Sequence, residues 1–135
     1  MQTPGVNNAN GIAQTPDGSA LLVVKSNSGQ LFRVDPRTGK ARLVDLGGYA
    51  LTNGDGLLVD GRALYVVQNR LNRVAVLELN RSGSRGELVR VLTDPGFDVP
   101  TTVASFGRSL YLPNARFGIA NPETAEYWVT RIDKR

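Results

Sequence analysis

The 135-residue chain contains no cysteine and no histidine. The absence of cysteine excludes disulfide bonds, thiolate nucleophiles and thiolate metal sites. The absence of histidine excludes the commonest general base, every Ser-His-Asp triad and all imidazole metal ligands. Any chemistry of this chain must therefore use carboxylates, amides, hydroxyls, Lys, Arg or a metal bound through oxygen.

Long apolar runs are also missing. No stretch approaches the ~20 apolar residues that a membrane-spanning helix needs, and the opening MQTPGVNNANGIA has neither the charged start nor the apolar middle of a signal peptide. We therefore expect a soluble segment without membrane contact, and the composition favours no particular compartment. With 41% hydrophobic residues, the chain is long enough for one ordinary domain with a real core.

The positive charge is spread thinly along the chain. The formal net charge is +4 and the isoelectric point is about 9.9, which would suit a nucleic-acid partner. The basic residues, however, form no run of three and have no aromatic residues interleaved as a stacking platform. Arginines beside short apolar runs are typical of edge strands, where a charged side chain opposes pairing with a further strand. The sequence therefore argues against nucleic-acid binding.

The apolar runs that are present predict strands. They are four to seven residues long, rich in Val, Leu, Ile and aromatics, and bounded by Gly, Asp, Asn, Pro and Ser. Explicit turn sequences separate them, among them PDG at 16–18, DPRTG at 35–39 and NRSGSRG at 80–86. No window has a convincing helical period. We predict an all-β chain.

One segment of the chain returns in altered form. ALLVVKSNSGQLFRVD at 20–35 is followed by ALYVVQNRLNRVAVLE at 63–78, and GRALYVVQNRL at 61–71 aligns with GRSLYLPNARF at 107–117. A period of about 40 to 45 residues with four strands per unit is typical of β-propeller blades. The sequence therefore predicts about three blades, at roughly 10–47, 53–93 and 99–133. The alternative is an unrelated β-sandwich whose strands look alike.

The predicted units contain four, four and three strands. They lie near residues 11–14, 20–25, 30–35 and 41–46, then 56–59, 63–68, 73–79 and 87–92, and finally 101–105, 109–112 and 126–132. A propeller closes with about four to eight blades, so an open stack of three leaves two apolar faces without partners. Either the chain is part of a longer protein, which is the simpler explanation, or copies associate. Two copies of three blades would make six.

Propeller geometry predicts where a site would lie. Two kinds of position lie at one face of a propeller, around its central channel. They are the residues that begin the first strand of each blade and the loops between its second and third strands. The residues at these places are Asn10, Asn53, Asp55, Thr101 and Thr102, with the loops at 26–27, 68–70 and 114–116. They are mostly amides and hydroxyls with one carboxylate, which are ligands of hard cations such as Ca²⁺. The simpler interpretation of Asn10 and Asn53, which precede glycine, is that of turn residues that tolerate positive φ.

Four motifs together resemble a known family. They are NGIAQTPDG at 10–18, NGDGLLVDG at 53–61, TTVASFG at 101–107 and the closing NPETAEYWVTRID. With them nearly the whole chain is similar to the second half of the regucalcin (senescence marker protein) and gluconolactonase family. The resemblance implies half of a six-bladed propeller that binds one divalent cation, Ca²⁺ or Zn²⁺, in its channel. It also implies a hydrolase of sugar lactones, or an inactive relative, of which this chain is the C-terminal half.

The resemblance also implies metal ligands. One is the Asn that begins an NG strand, which matches Asn10, and another is the Asp that begins a DG strand in the next blade, which matches Asp55. Counting without gaps from Gly61 instead puts Asn53 at the place of Asn10. We favour Asp55, because a dication is held better with a carboxylate than by amides alone. The family's remaining ligand, a Glu of its first blade, has no counterpart in this chain.

The implied reaction assigns roles to further residues. Asp55 would act as metal ligand and proton acceptor during lactone hydrolysis. Arg70, Asn114 and Arg116, with Thr101, would contact sugar hydroxyls or a developing carboxylate. Arg70 and Arg116 share a position across blades, so a shared structural role is the alternative. Competing functions are a non-enzymatic propeller that binds a peptide, glycan or small molecule, and a half-propeller that associates with itself.

Overall fold

The computed structural model describes residues 4–6 and 8–135. Residues 1–3 and 7 of the opening segment lie outside this description. The described residues form eleven strands in three antiparallel sheets, and no helix among them is long and apolar enough to cross a membrane. The all-β prediction is confirmed.

Each sheet is one blade. Blade 1 contains β1 (Ala9–Gln14), β2 (Leu21–Lys25), β3 (Gln30–Val34) and β4 (Ala41–Leu43). Blade 2 contains β5 (Gly54–Asp60), β6 (Ala63–Gln68), β7 (Arg73–Leu79) and β8 (Gly86–Leu92). Blade 3 contains β9 (Ala104–Phe106), β10 (Ser109–Pro113) and β11 (Val129–Asp133). In every blade, strands that follow each other in the chain are also neighbours in the sheet.

The repeat in the sequence corresponds to a repeated hairpin. β2 and β3 meet at the pair Lys25 and Gln30, and β6 and β7 meet at the pair Gln68 and Arg73. Both loops have the same length, so equivalent positions in the two hairpins are 43 residues apart, as in the two similar segments. The structure adds a short 3-10 turn at Asn69–Leu71 inside the second loop, which no hydrophobic period indicated.

Two apolar clusters lie between neighbouring blades. Blade 1 contributes Leu22, Val24 and Leu31 to the first, and blade 2 contributes Leu64, Val66, Ala75 and Leu77. The second cluster joins Tyr65, Val67, Val74 and Val76 of blade 2 to Leu110 and Leu112 of blade 3. Because successive side chains of a strand point to opposite faces, β6 serves both clusters. This double burial explains the unbroken apolar run ALYVV.

Strand ends differ from the prediction where the backbone leaves the ladder. Blade 3 was expected to begin with a strand at 101–105, but β9 starts at Ala104, after an isolated bridge between Pro100 and Asn114. Between that bridge and the pair Ala104 with Tyr111, three residues of this segment oppose two residues of β10, so one extra residue interrupts the ladder. β4 stops at Leu43 rather than residue 46 because Val44 and Leu46 turn into the core, where they are 3% and 7% exposed.

Candidate functional site at the innermost strands

The strand register aligns three polar residues of the three blades. In blades 1 and 2 the first strand begins opposite the end of the second strand, in the pairs Ala9 with Lys25 and Gly54 with Gln68. In blade 3 the isolated bridge between Pro100 and Asn114 takes the equivalent place. The residues that follow are Asn10, Asp55 and Thr101. The register therefore makes Asp55, and not Asn53, the equivalent of Asn10. Asn53 precedes the strand and has a left-handed φ of 59°, as a turn residue does.

Glycines bring the innermost strands of adjacent blades into direct contact. A Cβ atom on Gly11 would lie 1.8 Å from the backbone oxygen of Asp55, and one on Gly56 would lie 2.5 Å from the Cα of Thr102. The N–H of Gly56 donates to the carbonyl of Thr101 at 2.9 Å. Neither glycine has positive φ, so the NG and DG pairs here serve close strand packing. Asn10, Asp55 and Thr101 therefore lie on three backbone segments that are adjacent to one another.

Asp55 is half-buried beside the end of its own second strand. Its Oδ2 accepts a hydrogen bond from Asn69 Nδ2 at 2.9 Å. Burial raises the pKa of the Asp55 carboxyl, and the bond from Asn69 acts less strongly in the opposite direction. Asn69 is itself held, because its backbone N–H donates to Asn53 and its Oδ1 accepts from the N–H of Arg70. The carboxylate is thus oriented through one oxygen.

Asn10 is held in the same manner. Its Nδ2 donates to Ser26 Oγ at 3.1 Å, and that hydroxyl donates to the carbonyl of Gly54 in the next blade. Ser26 lies 43 residues before Asn69 and is its equivalent in the repeated hairpin. Among the residues that the structure describes, none donates a hydrogen bond to Asn10 Oδ1 or Asp55 Oδ1. Asn10 and Asp55 therefore each keep one side-chain oxygen available.

The type of these donors fits a hard cation, but their number is small. Amide and carboxylate oxygens are suitable ligands, and Ca²⁺ takes six to eight of them. Asp55 is the one carboxylate of the aligned set, and residues 4–6 and 8–135 contain no group of three or more His, Cys, Asp or Glu that could hold a metal. Asn10 and Asp55 thus match part of an oxygen-ligand site, and further ligands would have to come from elsewhere.

A cleft of about 530 Å³ adjoins these residues. The loops that follow the second strands of all three blades line it, through Ser26 and Asn27, Asn69 and Arg70, and Phe117. Asn53 also lines it. Arg70 is exposed and its guanidinium lies over the ring of Phe117, 5.6 Å from the ring centre. The cleft is therefore polar and offers one cationic group over an aromatic ring.

Asn114 and Arg116 lie away from this cleft and hold the long loop of blade 3. Asn114 is buried, accepts from the N–H of Asp98 at 2.9 Å and donates to Thr130 Oγ1 at 2.9 Å. Arg116 Nε contacts Asp98 Oδ2 at 2.8 Å, and its guanidinium lies 4.8 Å from the ring centre of Trp128. Both side chains are engaged within the loop. These two side chains therefore contact the loop of blade 3, whereas Arg70 faces the cleft, and the substrate contacts of all three stay predictions.

The sequence placed Ser26 and Asn69, within the loops at 26–27 and 68–70, at the same face as Asn10 and Asp55, but it did not predict the contacts between them. Asn69 orients Asp55, Ser26 orients Asn10, and Phe117 lies under Arg70. A signal for the first two was present, since Ser26 and Asn69 are polar residues at one repeat position, directly after buried strands. Thr101 contributes its carbonyl to Gly56 and its N–H to the carbonyl of Pro113. No sequence pattern indicated the contact between Asp98 and Arg116.

Comparisons with known proteins define the fold. No protein-family model matches the chain, and no curated protein sequence matches it. Solved structures do match, among them a luciferin-regenerating enzyme, with a TM-score of 0.62 at 19% identity over 92% of this chain and 44% of that one. Hydrazine synthase of Kuenenia stuttgartiensis matches with a TM-score of 0.54 at 18% identity, over 98% of this chain and 49% of that one.

A third structure belongs to a functionally unknown protein from Desulfotomaculum acetoxidans DSM 771. Its TM-score is 0.55 at 20% identity, over 83% of this chain and 37% of that one. The chain thus spans half or less of the length of these proteins. At such low identity the likenesses establish the fold alone, and they confirm a partial β-propeller of about three blades. Membership of the regucalcin and gluconolactonase family stays a prediction.

Proposed function

We propose that the chain forms part of the ligand-binding centre of a β-propeller, and that the complete ring uses this centre for metal-dependent hydrolysis of a sugar-like lactone. The alignment of Asn10 and Asp55 on the first strands of blades 1 and 2, with Thr101 at the equivalent place ahead of β9, carries the proposal. Equivalent positions in successive blades converge on the channel, where a small ligand would contact several blades at once.

Asp55 and Asn10 would hold the cation. Each has one side-chain oxygen that accepts no hydrogen bond from a described residue, and both oxygens are ligands that Ca²⁺ accepts. When bound, the cation would polarise the lactone carbonyl and acidify a water molecule. Asp55 is oriented by Asn69, and burial raises the pKa of the Asp55 carboxyl, which suits a group that accepts a proton during the reaction. Thr101 would border the ligand.

A second candidate function is supported by the cleft beside this centre. Arg70 is exposed there over Phe117, with Asn27 and Asn53 among the lining residues. A guanidinium held in this way suits a carboxylate or phosphate group. Such a propeller would bind an anionic or polar small molecule without a metal and without catalysis.

Titration calorimetry of the complete ring with Ca²⁺ and with Zn²⁺ tests the first function. We expect Asp55→Asn to weaken the binding of the favoured cation at least about tenfold, because the only carboxylate of the set is lost. Glu87→Gln, which removes an exposed carboxylate from the outer strand β8, is the matched control and should bind as the parent does. Equal affinity of the Asp55→Asn and parent chains would contradict a metal role for Asp55.

The same proteins distinguish the second function. Hydrolysis of a panel of sugar lactones should require Asp55 and the cation in the first case. In the second, no turnover occurs, and sugar acids should bind in the presence of a chelator with an affinity that Arg70→Ala lowers and Arg70→Lys partly restores. Loss of sugar-acid binding in Arg70→Ala with unaltered cation binding would favour the non-enzymatic function.

A further inference from the structure

Blade 1 exposes an apolar row on the face that points away from blade 2. The register aligns Ile12 with Val23, Val23 with Phe32 and Phe32 with Leu43, so the row crosses all four strands. Directly paired residues of antiparallel strands share one face of the sheet. Ile12 and Leu43 are each 59% exposed, Val23 and Phe32 are partly exposed, and none of the four belongs to either apolar cluster of the described residues.

The central part of the same row is buried in blade 2. There the equivalent register aligns Leu57 with Val66 and Val66 with Ala75. Val66 and Ala75 are 0% exposed and pack with blade 1 in the first apolar cluster. The open face of blade 1 is therefore the type of face that a blade of this protein places against its predecessor.

Blade 3 exposes the opposite type of face. Phe106 and Val129, which are 79% and 58% exposed, lie on the same side of the sheet as Tyr111, through the pairs Phe106 with Ser109 and Val129 with Pro113. Tyr111 corresponds to Tyr65 of blade 2 in the aligned motifs. Tyr65 is 4% exposed and packs toward blade 3. The open face of blade 3 is therefore the type that a blade presents to its successor.

We propose that a second copy of this chain covers both faces. Blade 1 of each copy would pack on blade 3 of the other, which repeats the type of contact that already joins blades 1, 2 and 3 within the chain. Three blades per copy would close a ring of six, which is within the usual range for propellers. The matched enzymes are about twice as long, since the chain covers 49% and 44% of them. This inference is independent of the proposed ligand chemistry.

The contact between copies is expected to be weaker than the contact between blades 2 and 3. In blade 2 the residue paired with Tyr65 is the buried Val76, whereas in blade 3 the residue paired with Tyr111 is the exposed Arg131. A charged group in place of an apolar one reduces the gain from burial. The pair should therefore dissociate on dilution while each three-blade unit stays folded.

Light scattering coupled to size exclusion tests the inference on the purified chain over a range of concentrations. We expect a mass of twice the 14.6 kDa of one chain, with dissociation at low concentration. A monomer at every concentration would overturn the proposal, and the faces would then belong to further blades of a longer protein. Masses that grow beyond two chains would also overturn it, because the contact would not close.

Two variants locate the interface. Phe32→Glu on blade 1 and Val129→Glu on blade 3 should each raise the dissociation constant at least about tenfold. Val89→Glu is the matched control, since Val89 is 55% exposed on β8 of the central blade, and it should leave the mass unchanged. Circular dichroism verifies that each variant is folded, and Val129 is exposed enough that its replacement should not disturb the blade.

Mixing the two variants tests which faces meet. A pair formed from one Phe32→Glu chain and one Val129→Glu chain contains one contact in which both faces are unchanged. The mixture should therefore dimerise more tightly than either variant alone. If the mixture stays monomeric while the parent chain dimerises, blade 1 does not pack on blade 3, and the proposed arrangement is wrong.

Discussion

Blade 2 and blade 3 share a sequence pattern but are held by different forces. The second strand of blade 2 is buried on both faces, with Leu64 at 0% and Tyr65 at 4% exposure. The second strand of blade 3 buries Leu110 and Leu112 toward blade 2, while Tyr111 on its other face is half-exposed. One blade has two neighbours in the chain and the other has one.

Blade 3 relies more on polar contacts. Its loop is tied by the buried Asn114, by the ion pair of Arg116 with Asp98, and by Trp128 Nε1, which donates to the carbonyl of Gly96 at 2.8 Å. The corresponding loop of blade 2 is a short 3-10 turn that leaves Arg70 exposed. Residues at one repeat position thus acquire different roles, because the number of neighbouring blades and the loop length differ.

The largest effect is expected in the core of the central blade. Leu64→Ala should lower the free energy of unfolding by about 3 kcal/mol, because it leaves a cavity between blades 1 and 2. Val89→Ala, on the exposed side of the outer strand of the same blade, should change it by less than about 0.5 kcal/mol. Chemical denaturation monitored by tryptophan fluorescence measures both, and similar losses would show that the central blade is not the apolar core of the chain.

A smaller effect separates the two equivalent arginines. Arg116→Ala should cost roughly 1–2 kcal/mol, because the partly buried ion pair with Asp98 and the contact with the Trp128 ring are both lost. Arg70→Ala removes only an exposed contact with Phe117 and should cost less than about 0.5 kcal/mol. The same denaturation experiment compares them. An equal cost would mean that the two loops are stabilised alike.

The smallest effect concerns two carboxylates with opposite pKa shifts. Hydrogen bonds from Ser19 and Thr15 lower the pKa of the exposed Asp17 from 3.8 to about 2. Its contribution to stability is therefore complete above pH 3.8 and is lost as the pH falls toward 2. Burial raises the pKa of Asp55 above 3.8, so ionisation of Asp55 lowers stability as the pH rises through that raised value.

Thermal melts of two variants between pH 2 and 7, with a chelator present, measure these shifts. Asp17→Asn should lower the melting temperature at pH 7 and match the parent chain near pH 2. Asp55→Asn should raise it at pH 7, since the buried charge is removed, and match the parent chain below pH 3.8. Two differences of the same sign at pH 7 would contradict the opposite environments of the two groups.

Much of the fold could be predicted from local patterns. The apolar runs indicated the strands, and the spacing of the repeated hairpins indicated the blades, because alternation and turn chemistry act over a few residues. The strand ends near Pro100 and Val44 were missed, since they depend on an extra residue in the register and on core residues supplied by other strands. The candidate site was predicted as a set of positions, while the choice between Asn53 and Asp55 depended on register.

The sequence by itself determined that this chain forms strands, that they group into three similar units, and that its chemistry excludes thiol and imidazole groups. Tertiary structure decided which residue at each repeated position faces the cleft and which supports a loop. It also decided that Gly11 and Gly56 serve close strand contact rather than turns. The physical reason is that the alternation of apolar and polar residues depends on neighbours in the sequence. Burial, ion pairs and contacts between strands depend instead on residues far apart in the chain.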